Sequence, residues 1–278
     1  MDWVCGCGLP YNDIDMSDFD PATESFERII NRHGLQIFIK LVEPADQPVR
    51  GNMYLSHGFR MVHDASHMRA LTQAGVRAGY RVVLWDASHS WGRSEGEEAD
   101  ATFYYHHADL EDVIDWSRTQ PWYQAKFAVG GHSLGGMVAG TYAAAHPRQV
   151  ERLILLAPVI SGRALRRRVP WVMQYYWRRR GAVRLPWLGP VGLSWEFIRS
   201  SWSYDLIAEA GRLAMPVILV VAGRDWIIPV RLARRFAKAI GANCRLIEVP
   251  RAKHGFSSDW EMQFVTSSVR NWLAGGRD

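Results

Sequence analysis

The stretch Lys126-Phe127-Ala128-Val129-Gly130-Gly131-His132-Ser133-Leu134-Gly135-Gly136-Met137-Val138-Ala139 decides how this chain is read. Its opening is a short apolar run with strand character, and the residues from Leu134 to Ala145 have the composition of a buried helix. Between them Gly131-His132-Ser133-Leu134-Gly135 reads as a sharp turn. Strand, turn and helix in this order hold a serine out as a nucleophile. Glycines are needed there because neighbouring side chains would clash at a strained turn. The helix behind it aims backbone N–H groups and its positive end at developing negative charge. Ser133 is therefore the expected nucleophile.

The same five-residue pattern occurs in Gly92-Arg93-Ser94-Glu95-Gly96. Ser88-His89-Ser90-Trp91 precede it and Glu97-Glu98-Ala99-Asp100 follow, so neither a strand nor an apolar helix flanks it. Ser94 is expected in a polar loop.

Working outward, short apolar runs alternate with helix-period stretches from about residue 35. Strands are expected at Gln36–Val42, Asn52–Ser56, Tyr80–Trp85, Lys126–Val129, Arg152–Leu156, Pro216–Ala222 and Arg245–Val249. Helices are expected at Ser66–Ala78, Thr102–Arg118, Leu134–Ala145, Val230–Ile240 and Ser258–Leu273. The runs lack alternation, as in Val217-Ile218-Leu219-Val220-Val221, which suits strands buried on both faces. The expected architecture is α/β, a mostly parallel central sheet with helices on both faces.

A serine hydroxyl needs a base, and the base an orienting acid. His254 lies just after the last strand, in Arg251-Ala252-Lys253-His254-Gly255-Phe256, and Asp225 just after the preceding one, in Gly223-Arg224-Asp225-Trp226. Both loops fall at the sheet edge that carries the serine. Catalytic residues Ser133, Asp225 and His254 are thus expected in that chain order. An oxyanion hole is expected from the backbone N–H groups of Leu134 and Phe59, the latter in His57-Gly58-Phe59 directly after an early strand.

One segment breaks the rhythm. Between Ala157 and Pro216 no clear strand occurs, and residues 162–203 carry nine arginines against one acid, Glu196. Aromatic residues are interleaved with these arginines. This Arg/Trp-rich segment is expected to form an inserted helical cap over the C-terminal edge of the sheet. Its Trp171, Tyr175, Trp177, Trp195 and Trp202 are candidates for lining a substrate pocket. The division expected is a tail over 1–25, a core over 26–161 and 204–278, and the cap over 162–203.

These motifs together, with Asp86 preceding the second glycine-serine loop and Gly136 extending the first, resemble the α/β-hydrolase family. Within it the chain resembles the bacterial cinnamoyl/feruloyl esterases and the monoacylglycerol-lipase-like enzymes over roughly residues 26 to 275. The resemblance implies an acyl-enzyme mechanism without metal or organic cofactor, and a cap over an acyl pocket. The sequence departs from the family in the bulky loop Asp86-Ala87-Ser88-His89-Ser90-Trp91-Gly92 and in the arginine content of the cap.

The bulk composition sets outer limits. No run of roughly eighteen apolar residues is present, so no spanning helix is expected. The opening Met1-Asp2-Trp3-Val4-Cys5-Gly6 lacks the features of a secretory signal. Cys5, Cys7 and Cys244 cannot build a disulfide framework, and a cytoplasmic location is expected. The net charge of +5 is concentrated in the cap, where it would attract an acidic carrier protein, an anionic membrane surface or a small carboxylated ester. Nucleic acid is not expected as a partner.

The function expected is cleavage of a small-molecule or lipid acyl ester. Thioester hydrolysis on carrier-protein- or CoA-linked acyl groups and monoacylglycerol-type lipolysis are the alternatives in the same chemistry. C–C bond hydrolysis and non-catalytic ligand binding are those from another class.

Overall fold

The computed structural model describes residues 22–183 and 193–275. Cys5 and Cys7 fall outside these residues. Strands β1 (Ala22–Ile30), β2 (Gln36–Pro44), β3 (Gly51–Ser56), β4 (Tyr80–Trp85), β5 (Phe127–His132) and β6 (Val150–Leu156) precede the inserted segment. That segment carries a short hairpin, β7 (Ala182–Val183) with β8 (Leu193–Ser194), and is followed by β9 (Val217–Ala222) and β10 (Cys244–Val249). The eight long strands form one sheet in the order β1-β2-β4-β3-β5-β6-β9-β10. Strand β2 runs antiparallel to β1 and β4, and every other pair is parallel.

The continuous apolar runs behave as sequence reasoning requires. In β9, Val217, Leu219 and Val221 enter one hydrophobic cluster while Ile218, Val220 and Ala222 enter the other. Helices α1 (Ser66–Arg77) and α9 (Asp259–Leu273) cover the second face. Helices α2 (Phe103–Ser117), α3 (Leu134–Ala145) and α8 (Val230–Ile240) cover the first. Each fully buried Val, Leu or Ile contributes about 1.5–3 kcal/mol, so this two-sided burial is the main source of stability.

Strand β1 corrects the expected N-terminal division. It begins at Ala22, inside the stretch expected to be a tail, and pairs with β2 along its whole length. Nearly all its residues are exposed because it is an edge strand with little packed against it among the described residues. An apolar pattern therefore had no reason to develop there.

The inserted segment contains α4 (Gly162–Arg167), α5 (Trp171–Arg180) and α6 (Trp195–Ser200), and α7 (Leu206–Glu209) follows. Its two ends meet. Ser161 and Asp205 form a bridge, Gly162 N–H donates to the Tyr204 carbonyl at 3.0 Å, and Leu206 N–H donates to the Ile160 carbonyl at 2.9 Å. Only glycine fits at 162, because a Cβ there would stand 1.9 Å from the Ser201 carbonyl oxygen.

Candidate active site

Ser133 sits between the end of β5 and the start of α3 with φ 54° and ψ −114°. This is the left-handed half of backbone space, costly for a residue with a Cβ and held only where surroundings enforce it. The enforcement is visible. Ser133 N–H donates to the Leu156 carbonyl of β6 at 3.0 Å, and the Ser133 carbonyl accepts from Val159 N–H at 2.9 Å. A Cβ at Gly131 would meet the Ser56 carbonyl oxygen at 2.4 Å, and one at Gly135 would meet it at 2.1 Å. Both glycines are therefore demanded by the close approach of the β3 exit to the turn.

His254 and Asp225 are brought to the same point. Two adjacent loops carry them, and these are tied by Gly223 N–H to the Val249 carbonyl (2.8 Å) and Arg224 N–H to the Ala252 carbonyl (3.0 Å). Asp225 Oδ1 accepts from Ile227 and Ile228 N–H, each at 2.8 Å, which fixes the carboxylate. Its Oδ2 lies 2.7 Å from His254 Nδ1, and His254 Nε2 lies 2.9 Å from Ser133 Oγ. With Nδ1 donating to the carboxylate, Nε2 presents its lone pair to the serine hydroxyl. The Asp225 side chain is 2% exposed and that of His254 13%, so this chain of hydrogen bonds is shielded from bulk water.

The His57-Gly58-Phe59 loop packs directly on the elbow. A Cβ at Gly58 would stand 3.2 Å from Ser133 Cβ and 3.0 Å from His132 Nδ1. No backbone acceptor among the described residues takes the amide of Phe59 or Leu134. His57 is fully buried. Its Nε2 accepts from Ala87 N–H at 2.9 Å, so Nδ1 carries the proton and donates to the Gly58 carbonyl at 2.7 Å. It orients the turn, and burial keeps it neutral by lowering its pKa.

Asp86, at the end of β4, braces the next loop. Its Oδ1 accepts from the His63 backbone (2.9 Å) and ring (2.8 Å), and its Oδ2 accepts from Arg93 N–H at 2.9 Å. Burial opposes its ionisation, yet these hydrogen bonds hold the carboxyl below its ordinary range. Ser94 belongs to this brace. Its hydroxyl accepts from Phe38 N–H at 2.8 Å and donates to the Asp86 carbonyl.

Sequence reasoning missed two contributors. His132 is buried within the motif and its Nε2–H donates to the backbone carbonyl of His254 at 2.9 Å. Its ring is 4.0 Å from that of His67, which is also buried. The other is Phe197 of α6, whose ring centroid lies 4.2 Å from that of Phe59. The cap thus roofs the Phe59 loop through a residue not singled out beforehand.

The five cap aromatics expected around a pocket differ in burial. Trp171 and Tyr175 stand in solvent on α5. Trp177 is buried beneath them, with Nε1–H donating to the Leu193 carbonyl at 2.8 Å. Trp195 lies edge-on between Trp177 and Trp202, with centroid separations of 6.2 and 5.8 Å, and both partly buried rings pack on the core. Among the described residues no group of three or more metal-ligating side chains occurs.

The family model of the serine aminopeptidases, S33, matches residues 47–200, more than half of the chain. Solved structures extend the likeness. Alpha/beta hydrolase domain-containing protein 10 from mouse is 17% identical with a TM-score of 0.75, over 90% of this chain and 99% of that one. Est1E from Butyrivibrio proteoclasticus, in a structure with ferulic acid bound, is 20% identical with a TM-score of 0.76, over 90% and 98%. The esterase domain of a Rhodothermus marinus protein is 17% identical with a TM-score of 0.67, over 91% and 98%. At these identities the likeness is one of fold. No curated protein sequence matches the chain.

Proposed function

Since the chain belongs to the serine aminopeptidase S33 family of α/β hydrolases, we propose that it is a carboxylic-ester hydrolase working through an acyl-enzyme. The observation that carries this reading is the unbroken line Asp225 Oδ2, His254 Nδ1, His254 Nε2, Ser133 Oγ, with separations of 2.7 and 2.9 Å. His254 Nε2 takes the hydroxyl proton as Ser133 Oγ bonds to the acyl carbon. The carbonyl oxygen, now an oxyanion, is held by Phe59 and Leu134 N–H. Collapse breaks the bond to the alcohol, which leaves with the proton from His254. Water then gives a proton to His254, attacks the acyl carbon and releases the acid, and Ser133 recovers its proton. Asp225 stays ionised and steadies the imidazolium.

A buried carboxylate free to hold a substrate's ammonium group would favour a peptide with a free amino end. Among the described residues the buried acids are engaged. Asp86 is held by His63 and Arg93, and Asp109 by Asn31 and Ser88. Glu261 takes the Ser258 N–H, and Asp225 holds His254. This supports an uncharged acyl group over an aminoacyl one. The esterase whose structure contains ferulic acid shares the fold, which supports an ester as well.

Turnover of p-nitrophenyl acetate or butyrate by the Ser133→Ala variant tests the reading. Hydrolysis is expected to fall by several orders of magnitude, and labelling by a fluorophosphonate to vanish. Undiminished turnover would overturn the assignment.

A further inference from the structure

Helix α5 is an exposed apolar and basic surface with no acidic counterpart. From residue 162 to 183 there are seven arginines and no aspartate or glutamate, and none of the seven enters an ion pair with an acid among the described residues. Trp171 is 79% exposed, Tyr175 53% and Tyr176 56%, and Val172 also stands in solvent. Only Trp177 of this helix is buried. With 3.6 residues per turn, Trp171, Tyr175, Val172 and Tyr176 form one outward band about 140° wide, with Arg179 set within it over the Tyr175 ring and Arg178 and Arg180 on either side.

We propose that this face docks on an anionic lipid surface, with the aromatic band entering the headgroup region and the arginines pairing with phosphates. Charge complementarity supplies the attraction, and Trp and Tyr are the side chains that settle at a lipid–water boundary. The apolar band decides between occupants. An acidic protein would need the arginines alone, whereas a lipid interface uses both. No helix among the described residues is long and apolar enough to cross a membrane, so the attachment lies along the surface. The turn leading into α5 is tied to the loop that carries Asp225: Arg168, between α4 and α5, donates from Nη1 to the Ile227 carbonyl at 3.0 Å, and exposed Trp226 precedes Ile227. Docking by α5 therefore brings that loop to the membrane. The inference does not rest on the hydrolytic reading.

Flotation of the full chain with phosphatidylcholine vesicles, with and without phosphatidylglycerol, tests it. The chain is expected to float with the anionic vesicles and to be released by high salt. Arg178→Gln, Arg179→Gln and Arg180→Gln together should weaken binding on the order of a hundredfold, about fivefold for each charge. Trp171→Ser with Tyr175→Ser and Tyr176→Ser should lower partitioning with all arginines intact. Thermal unfolding of both variants, expected to match the parent because the altered residues are exposed, separates lost docking from lost fold. Equal binding to neutral and anionic vesicles, or none to either, would overturn the proposal. So would retention of the chain by polyglutamate with no flotation, which would mark a protein-binding face.

Discussion

His132 and His254 are joined through the backbone: the Nε2–H of the residue preceding the candidate nucleophile donates to the carbonyl of the candidate base at 2.9 Å. The elbow thus holds both the serine and the loop that must reach it. Phenylalanine at 132 keeps an aromatic ring and deletes the donor. His132→Phe is expected to cost about 1–3 kcal/mol of stability by leaving the carbonyl unpaired. It should lower kcat for p-nitrophenyl butyrate by about tenfold with KM nearly unchanged, since the defect is in placement of the base. Denaturant unfolding and steady-state kinetics check the two parts, and an unchanged kcat would remove His132 from the positioning of His254.

Stability should fall on mild acidification. Burial pushes the His67 pKa down to about 4 and that of His106 to about 3, from 6.5 for an unconstrained ring. His132 is driven well below its ordinary value by the same cause. The unfolded chain then binds more protons than the folded one below about pH 6.5. The stabilisation is complete above that pH and is lost as pH falls toward 4. Each of these rings should cost about 2 kcal/mol between about pH 7 and pH 5. Urea midpoints across this range measure it, and a flat profile would contradict the buried neutral rings.

Substitutions at two glycines should differ in kind. At Gly135 a methyl group would stand 2.1 Å from one backbone carbonyl oxygen and 2.4 Å from another, and neither can move without shifting β3. Gly135→Ala is expected to lose several kcal/mol and most soluble expression. At Gly58 the neighbours are the His132 ring and Ser133 Cβ at 3.0 and 3.2 Å. Gly58→Ala should fold, with kcat reduced roughly ten- to hundredfold as the Phe59 amide is displaced. Thermal melting and ester kinetics on both variants distinguish the two outcomes.

Ser94 should prove structural. Its hydroxyl joins the Phe38 amide to the Asp86 carbonyl, so Ser94→Ala leaves both unpaired and should cost about 1–3 kcal/mol. Fluorophosphonate labelling of Ser94→Ala should equal that of the parent. Loss of labelling without loss of fold would reopen the choice between the two serines.

Trp177 is the only buried residue of α5, and its indole N–H is taken by the Leu193 carbonyl. Trp177→Ala should free the helix at a cost of about 3–5 kcal/mol. Limited proteolysis is expected to cut near residues 171–180 well before the sheet unfolds.

What the sequence made legible follows from burial. The seven long strands from β2 onward and all five long helices were readable because strands such as β9 are covered on both faces. Strand β1 was hidden because it is exposed at the edge, where Glu24, Glu27 and Arg28 serve as well as apolar residues. The meeting of Ser133, Asp225 and His254 was legible because the expected chemistry demands particular side chains at the ends of particular strands. His132 was not, since its partner is a backbone carbonyl 122 residues away, which no side-chain pattern encodes. The differing burial of the cap aromatics was not legible because the same Trp and Tyr composition serves a pocket wall, a buried anchor and a wet surface alike.

The hydrogen-bonded neck formed by Ile160, Ser161 and Gly162 with Tyr204, Asp205 and Leu206 has a consequence for what this architecture can accept. Because the chain leaves and re-enters the sheet at one point, residues added at the exposed turns between those ends enter folding chiefly through loop closure. Doubling the loop length costs about 0.6 kcal/mol. Strands β6 and β9 keep their register whatever is threaded through the neck. The segment beyond it is therefore free to be lengthened or recharged on its exposed side, provided Trp177, Phe197 and Ile198 keep their places in the core beneath.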